Sequence, residues 1–103
     1  MKTLSMGKRV FLIAKNRFNE QEYAHIVVNR ILSLCKRRDI SINKLAEMSG
    51  LNQSTIDNLI NGRSLNPRIK TLHKIAIAFS MTPAEFLNFE EMNEYSFEDL
   101  SDL

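Results

Sequence analysis

The chain has 103 residues, of which 44% are hydrophobic and 25% charged, values that fit one small globular domain. No apolar run approaches the roughly 20 residues that a membrane helix needs. The single cysteine excludes an internal disulfide and a cysteine metal cluster. We therefore expect a cytoplasmic protein without a targeting segment.

The net charge of +2 hides an uneven distribution. Residues 1–20 carry five basic groups against one acidic group, and residues 21–84 carry nine against four. Residues 85–103 carry seven acidic groups and neither lysine nor arginine. A basic body with an acidic tail fits a protein that binds a polyanion, although a solvated charged surface explains the charge alone equally well.

The first predicted helix covers residues 21–38. Its apolar side chains recur at spacings of three and four residues, at Tyr23, Val27, Ile31 and Leu34. Cys35 lies in the same apolar row, so we expect a buried structural thiol rather than a redox group.

Two short helical patterns follow, over 42–49 and about 52–61. Ser41 and Asn52 are suitable N-caps for them. Gly50 lies between the two patterns, where a turn needs a residue that tolerates positive φ. Ala46 offers the small side chain that lets one helix cross another closely. These features predict a helix-turn-helix unit, which places its second helix in the DNA major groove.

The fourth predicted helix covers about 69–79. A fifth begins at Pro83, with Thr82 as N-cap and Glu85 as the reciprocal acid of a capping box. Beyond Asn88 the chain is acidic but still punctuated by apolar residues. That spacing fits a short amphipathic segment that docks on the body or on a partner: Phe89, Met92, Tyr95, Phe97, Leu100 and Leu103.

The order of these patterns resembles the Cro and lambda-repressor family of helix-turn-helix domains. The resemblance covers roughly residues 22–88. It rests on these elements in sequence: Leu45-Ala46, Ser49-Gly50-Leu51, Ile56-Asp57-Asn58-Leu59, Asn61-Gly62-Arg63, Asn66-Pro67-Arg68, Leu72-His73-Lys74-Ile75-Ala76 and Pro83-Ala84-Glu85-Phe86-Leu87.

The resemblance implies an all-α, five-helix repressor-like bundle with N- and C-terminal extensions. We expect a basic extension over 1–20, a DNA-binding domain over 21–88 and an acidic tail over 89–103. The family also implies that the third helix reads double-stranded DNA and that a homodimer binds a palindromic operator.

Short polar side chains on the third helix are the candidates for base contact. Glutamine and asparagine can pair bidentately with adenine, and serine or threonine can meet a base edge or a phosphate. In related domains the positions that match Gln53, Ser54 and Asn58 face base edges. We predict those three as base-contacting residues, with Thr55 next.

Donors around the third helix are the candidates for phosphate contact. Arg68 matches a family position near the minor groove or the backbone. Ile42 departs from the family, because a polar residue often occupies that position, and Asn43 is the substitute we expect. The full predicted set is Asn43, Asn52, Asn61, Arg63, Ser64 and Arg68.

Asp57 is the one acidic residue of the third helix. Its carboxylate can accept a hydrogen bond from cytosine N4. We instead expect a salt bridge to Arg63 or Arg30.

Nothing in the sequence predicts an enzyme, a metal site or a cofactor. The chain has no phosphate-binding glycine loop and no nucleophile motif, and its two histidines lack partners at metal-ligand spacing. We therefore predict a transcriptional regulator, specifically a repressor. The alternative is an interaction module, such as an antitoxin that binds a small protein partner through its tails.

Overall fold

The structure is a computed structural model that describes residues 20–97. Within that range all regular structure is helical. The helices are α1 Glu20–Arg38, α2 Ile42–Ser49, α3 Gln53–Ile60, α4 Ile69–Ala78, α5 Pro83–Leu87 and α6 Glu90–Glu94. The predicted all-α bundle and its five helices are confirmed, and a sixth helix of one turn is added. Apart from Glu20, the predicted basic extension lies outside the described residues.

One apolar core joins all of α1 to α5. Ile31, Leu45, Ile56, Ile75 and Phe86 come from five different helices, and each is fully buried. Helix α2 packs against α3 and α4, and α4 packs against α5. Full burial of a side chain of this size stabilises the fold by about 1.5–3 kcal/mol. The core therefore fixes how α2 and α3 are held relative to the rest of the bundle.

The predicted helix starts at Ser41, Asn52 and Thr82 are confirmed. Each of these side chains accepts a hydrogen bond from a backbone N–H in the first turn of its helix. At Thr82 the bond is reciprocal, because the Glu85 carboxylate accepts from the Thr82 N–H at 2.8 Å. N-caps of this kind stabilise a helix by about 1 kcal/mol each.

Arg30 ties α1 to α5 and to the chain that follows it. Its Nε donates to the Phe86 carbonyl at 2.9 Å, and a terminal nitrogen donates to the Glu85 carbonyl at 3.0 Å. The guanidinium carbon also lies 4.9 Å from the centre of the Phe89 ring. Burial, followed by the nearby charge of Arg37, lowers the pKa of Arg30, and Glu91 opposes that shift. Arg30 is thus a structural residue of the bundle.

The segment after α5 packs on α1. The rings of Tyr23, Tyr95 and Phe97 lie 5.0–5.1 Å apart in all three pairings, and the Tyr23 hydroxyl lies 3.7 Å from the sulfur of Met92. The sequence left open whether this segment docks on the body of the protein or on a partner. Residues 89–97 dock on the body. Leu100 and Leu103 lie outside the described residues.

Cys35 is buried in the core, as predicted. Burial raises the pKa of its thiol. The neutral thiol therefore packs as a small apolar group.

Candidate nucleic-acid interface

The turn between α2 and α3 is built on Gly50. Its φ is +74°, which confirms the predicted left-handed conformation. That conformation directs the Leu51 N–H back to the Ala46 carbonyl, at 3.2 Å. Gly50 thus ends α2, and α3 starts three residues later, at Gln53.

Helix α3 has a buried side and an exposed side. Ile56 and Leu59 are at most 1% exposed and anchor the helix in the core. Gln53, Ser54 and Asn58 are exposed. The three residues predicted first for base contact are therefore exposed. Ser54 and Asn58 lie opposite the buried side, as the amphipathic pattern requires, and Gln53 lies at the start of the helix.

Asn52 organises the start of α3 through one oxygen atom. Its Oδ1 accepts from the Thr55 N–H at 3.2 Å and from the Thr55 hydroxyl at 2.6 Å. The Ser54 hydroxyl lies 3.4 Å from the same oxygen. Thr55 is half-buried and turned toward the loop that leads to α4. The hydroxyl protons of Ser54 and Thr55 are thus directed to the cap, and their lone pairs remain acceptors.

The predicted salt bridge of Asp57 is wrong. Asp57 Oδ1 accepts a hydrogen bond from Gln53 Nε2 at 2.9 Å, across one turn of α3. Arg30 has its donors on α5 carbonyls, and Arg63 donates elsewhere. Residues four apart on a helix are neighbours, so the glutamine was within reach from the spacing alone.

Arg63 folds back onto the end of α3. Its terminal nitrogen donates to Asn58 Oδ1 at 3.2 Å. The backbone N–H groups of Arg63 and Ser64 both donate to the Asn58 carbonyl, at 2.9 and 3.0 Å. Gly62, with φ of +80°, permits this reversal. The loop therefore places a guanidinium beside a residue predicted to read bases.

The remaining residues predicted for phosphate contact lie at the margins of α3. Asn61 is exposed at its carboxyl end, and Asn43 is exposed in the first turn of α2. Ser64 and Arg68 line one open groove with Thr55. Arg68 also precedes α4, whose start has no side-chain cap. Asn61 also lines a groove against α1, separate from the groove of Ser64 and Arg68.

Comparison with known proteins identifies this architecture. The model of the Cro/C1-type helix-turn-helix DNA-binding domain matches residues 30–92. The chain belongs to this family. The matched region contains α2, α3 and every residue predicted to touch DNA.

A solved structure supports the assignment. The crystal structure of the prophage Lp1 protein 11 is 30% identical to this chain, with a TM-score of 0.64. The alignment covers 70% of this chain and 95% of that protein. No curated protein matches the sequence.

Residues 20–97 contain no candidate membrane-spanning helix and no candidate metal site. None of the helices described is both long and apolar enough to cross a bilayer. No group of three or more His, Cys, Asp or Glu side chains in that range is arranged to hold a metal ion.

Proposed function

We propose that the protein is a sequence-specific regulator of transcription, specifically a repressor, which reads the major groove with α3. The observation that carries this proposal is the exposed polar face of α3, held by a buried apolar face within a Cro/C1-type domain. A two-helix unit of this kind presents the start of its second helix to base edges.

The chemistry of that face supports base reading. Gln53 and Asn58 each carry donors and an acceptor, and Ser54 adds a hydroxyl beside them. These groups are matched to the base edges of the major groove, where every base pair shows a distinct pattern. Thr55, which is half-buried, is the weakest member of the proposed reading set.

The margins of the face supply groups for phosphate. Arg63 and Arg68 bring positive charge, and the Nδ2 group of Asn52 remains a donor because its Oδ1 serves as the helix cap. We propose that Asn43, Asn61 and Ser64 add neutral contacts from both sides of α3. Such contacts position a protein on DNA without reading sequence.

We further propose that two copies bind one operator as a homodimer. The family implies two-fold symmetry, and a palindromic site with half-sites about one helical turn apart, roughly 34–36 Å, matches two reading helices. The alternative of an antitoxin-like partner module draws less support. Tyr95 and Phe97 pack on Tyr23 of the same chain, so their spacing requires no partner.

Selection of bound sequences from a random duplex pool tests the proposal. We expect the wild-type chain to enrich a palindromic motif. Gln53→Ala and Asn58→Ala should each cost about 1–3 kcal/mol on that motif and much less on random DNA. Circular dichroism should stay unchanged, because both side chains are exposed.

His73→Ala is a matched control, since His73 is an exposed helical residue on α4 and outside the proposed interface. It should leave the enriched motif unchanged. A pool that yields no motif with the wild-type chain would refute sequence-specific binding. A motif that both alanine variants preserve would remove α3 as the reader.

A further inference from the structure

The two amides proposed to read bases are each bound to a charged neighbour. Gln53 Nε2 lies 2.9 Å from Asp57 Oδ1, and Asn58 Oδ1 lies 3.2 Å from a terminal nitrogen of Arg63. All four residues lie on α3 or on the loop that directly follows it. The contacts are therefore part of the same exposed face.

The charge of each neighbour fixes which end of the amide it binds. An ionised aspartate only accepts hydrogen bonds, so it selects the NH₂ end of Gln53. An arginine guanidinium only donates, so it selects the oxygen of Asn58. Rotating either amide by half a turn would bring two acceptors or two donors together. Each amide is thus held in one of its two orientations.

We propose that Asp57 and Arg63 are positioning residues, which set the order of donor and acceptor that Gln53 and Asn58 present to the bases. This inference rests on the proposed function, because it concerns the same reading face. It assigns base preference to two charged residues that need not touch a base themselves.

The two fixed amides differ in what they offer DNA. Gln53 keeps its second N–H and its oxygen, a donor and an acceptor side by side, which is the pattern that adenine N7 and N6 require. Asn58 has its oxygen engaged and keeps its NH₂ group, so it is biased toward base acceptors. Those acceptors are guanine N7 and O6, adenine N7 and thymine O4. We therefore expect an adenine at the base that Gln53 contacts. At the position that Asn58 contacts, we expect a base that presents a hydrogen-bond acceptor in the major groove.

The size of the effect follows from what the charged neighbours restrain. Fixing one flexible side chain at an interface costs about 0.5–1.5 kcal/mol, and a preorganised side chain avoids that cost. We therefore expect loss of one positioning residue to reduce discrimination at one base position by roughly 2- to 10-fold. The corresponding alanine variant of Gln53 or Asn58 should lose more.

Asp57→Asn is the sharpest perturbation of Gln53. The new amide has nearly the shape of the carboxylate but can donate as well as accept, so Gln53 is free to rotate. Pool selection should show a weaker preference for adenine at the position that Gln53→Ala also affects. Glu47→Gln is the matched control, because it removes one exposed negative charge on α2 that pairs with Lys44 at 3.4 Å.

Arg63→Gln applies the same logic to Asn58. It should reduce affinity for all DNA and also alter the preference at the position that Asn58→Ala affects. Arg68→Gln removes the same charge from the same loop, but Arg68 has no bond to a reading amide. It should reduce affinity while leaving every base preference in place.

The results of these selections distinguish a failure of the positioning role from a failure of the proposed function. If the wild-type chain enriches no motif, the proposed function fails. If Gln53→Ala and Asn58→Ala change defined positions but Asp57→Asn and Arg63→Gln leave those preferences at the wild-type ratio, only the positioning role fails. If Asp57→Asn and Glu47→Gln shift the preferences equally, charge rather than orientation is the cause, and the inference is overturned.

Discussion

Gly50 offers the most direct test of how the turn between α2 and α3 is held. A Cβ atom added at this residue would meet no other atom within 4 Å. Any cost of substitution therefore comes from the backbone, whose φ is +74°, and not from a steric clash with neighbours. The loss of stability on substitution can therefore be attributed to backbone conformation alone.

Gly50→Ala should destabilise the domain by about 1–2 kcal/mol, the cost of a left-handed L-residue. Gly50→Val should cost more, up to about 3 kcal/mol, because a β-branched residue is a stronger outlier at positive φ. Gly50→Asn should cost least, since asparagine adopts this conformation most readily among the three. For a domain of this size, each 1 kcal/mol lowers Tm by about 4–8 °C.

Thermal and urea unfolding followed by circular dichroism would give the order of the three variants. Ser80→Gly is a control that should change stability in the opposite direction. Ser80 is exposed and has φ of +59°, so glycine should relieve its strain and raise Tm. Equal stabilities for the asparagine, alanine and valine variants at Gly50 would refute the argument from backbone conformation.

Four further variants test other parts of the structure. Arg63→Ala and Arg68→Ala should each weaken binding to all DNA and reduce the slope of log K against log salt by up to about one unit; an unchanged slope in both would exclude phosphate contact. Arg30→Met should destabilise the domain by roughly 1–3 kcal/mol in urea unfolding, because two carbonyls of α5 lose a charged donor; wild-type stability would refute that role. Burial raises the pKa of Cys35 above its unfolded value, so stability should fall as pH rises past about 8.5, whereas Cys35→Ala should lack that component of the pH dependence.

The sequence predicts the five main helices well because their signals are local. Ser41, Asn52 and Thr82 lie within three residues of the N–H groups that they cap. Gly50 is likewise a local requirement of the backbone. Interactions over such short distances are visible in the order of residues alone.

Helix α6 shows where local signals end. It has five residues, and its preceding residue, Phe89, makes no side-chain cap. A helix this short is not stable by itself in water. Its support comes from α1, through the Tyr23 contact with Met92 and the stacking of Arg30 on Phe89. Those partners are about 60–70 residues away in sequence, so the amphipathic spacing indicated a docking segment without revealing its site.

Asp57 shows a second limit of prediction from sequence, because charge alone did not identify the partner of its carboxylate. Arg30 and Arg63 were the obvious cations for this carboxylate, but three-dimensional packing commits them to carbonyl and amide oxygens. The aspartate then binds the nearest donor, Gln53. Under the proposed function, an aspartate that would otherwise only repel phosphate holds a side chain proposed to read bases. The energetic cost of placing it near DNA would then be offset by a gain in how well Gln53 is oriented.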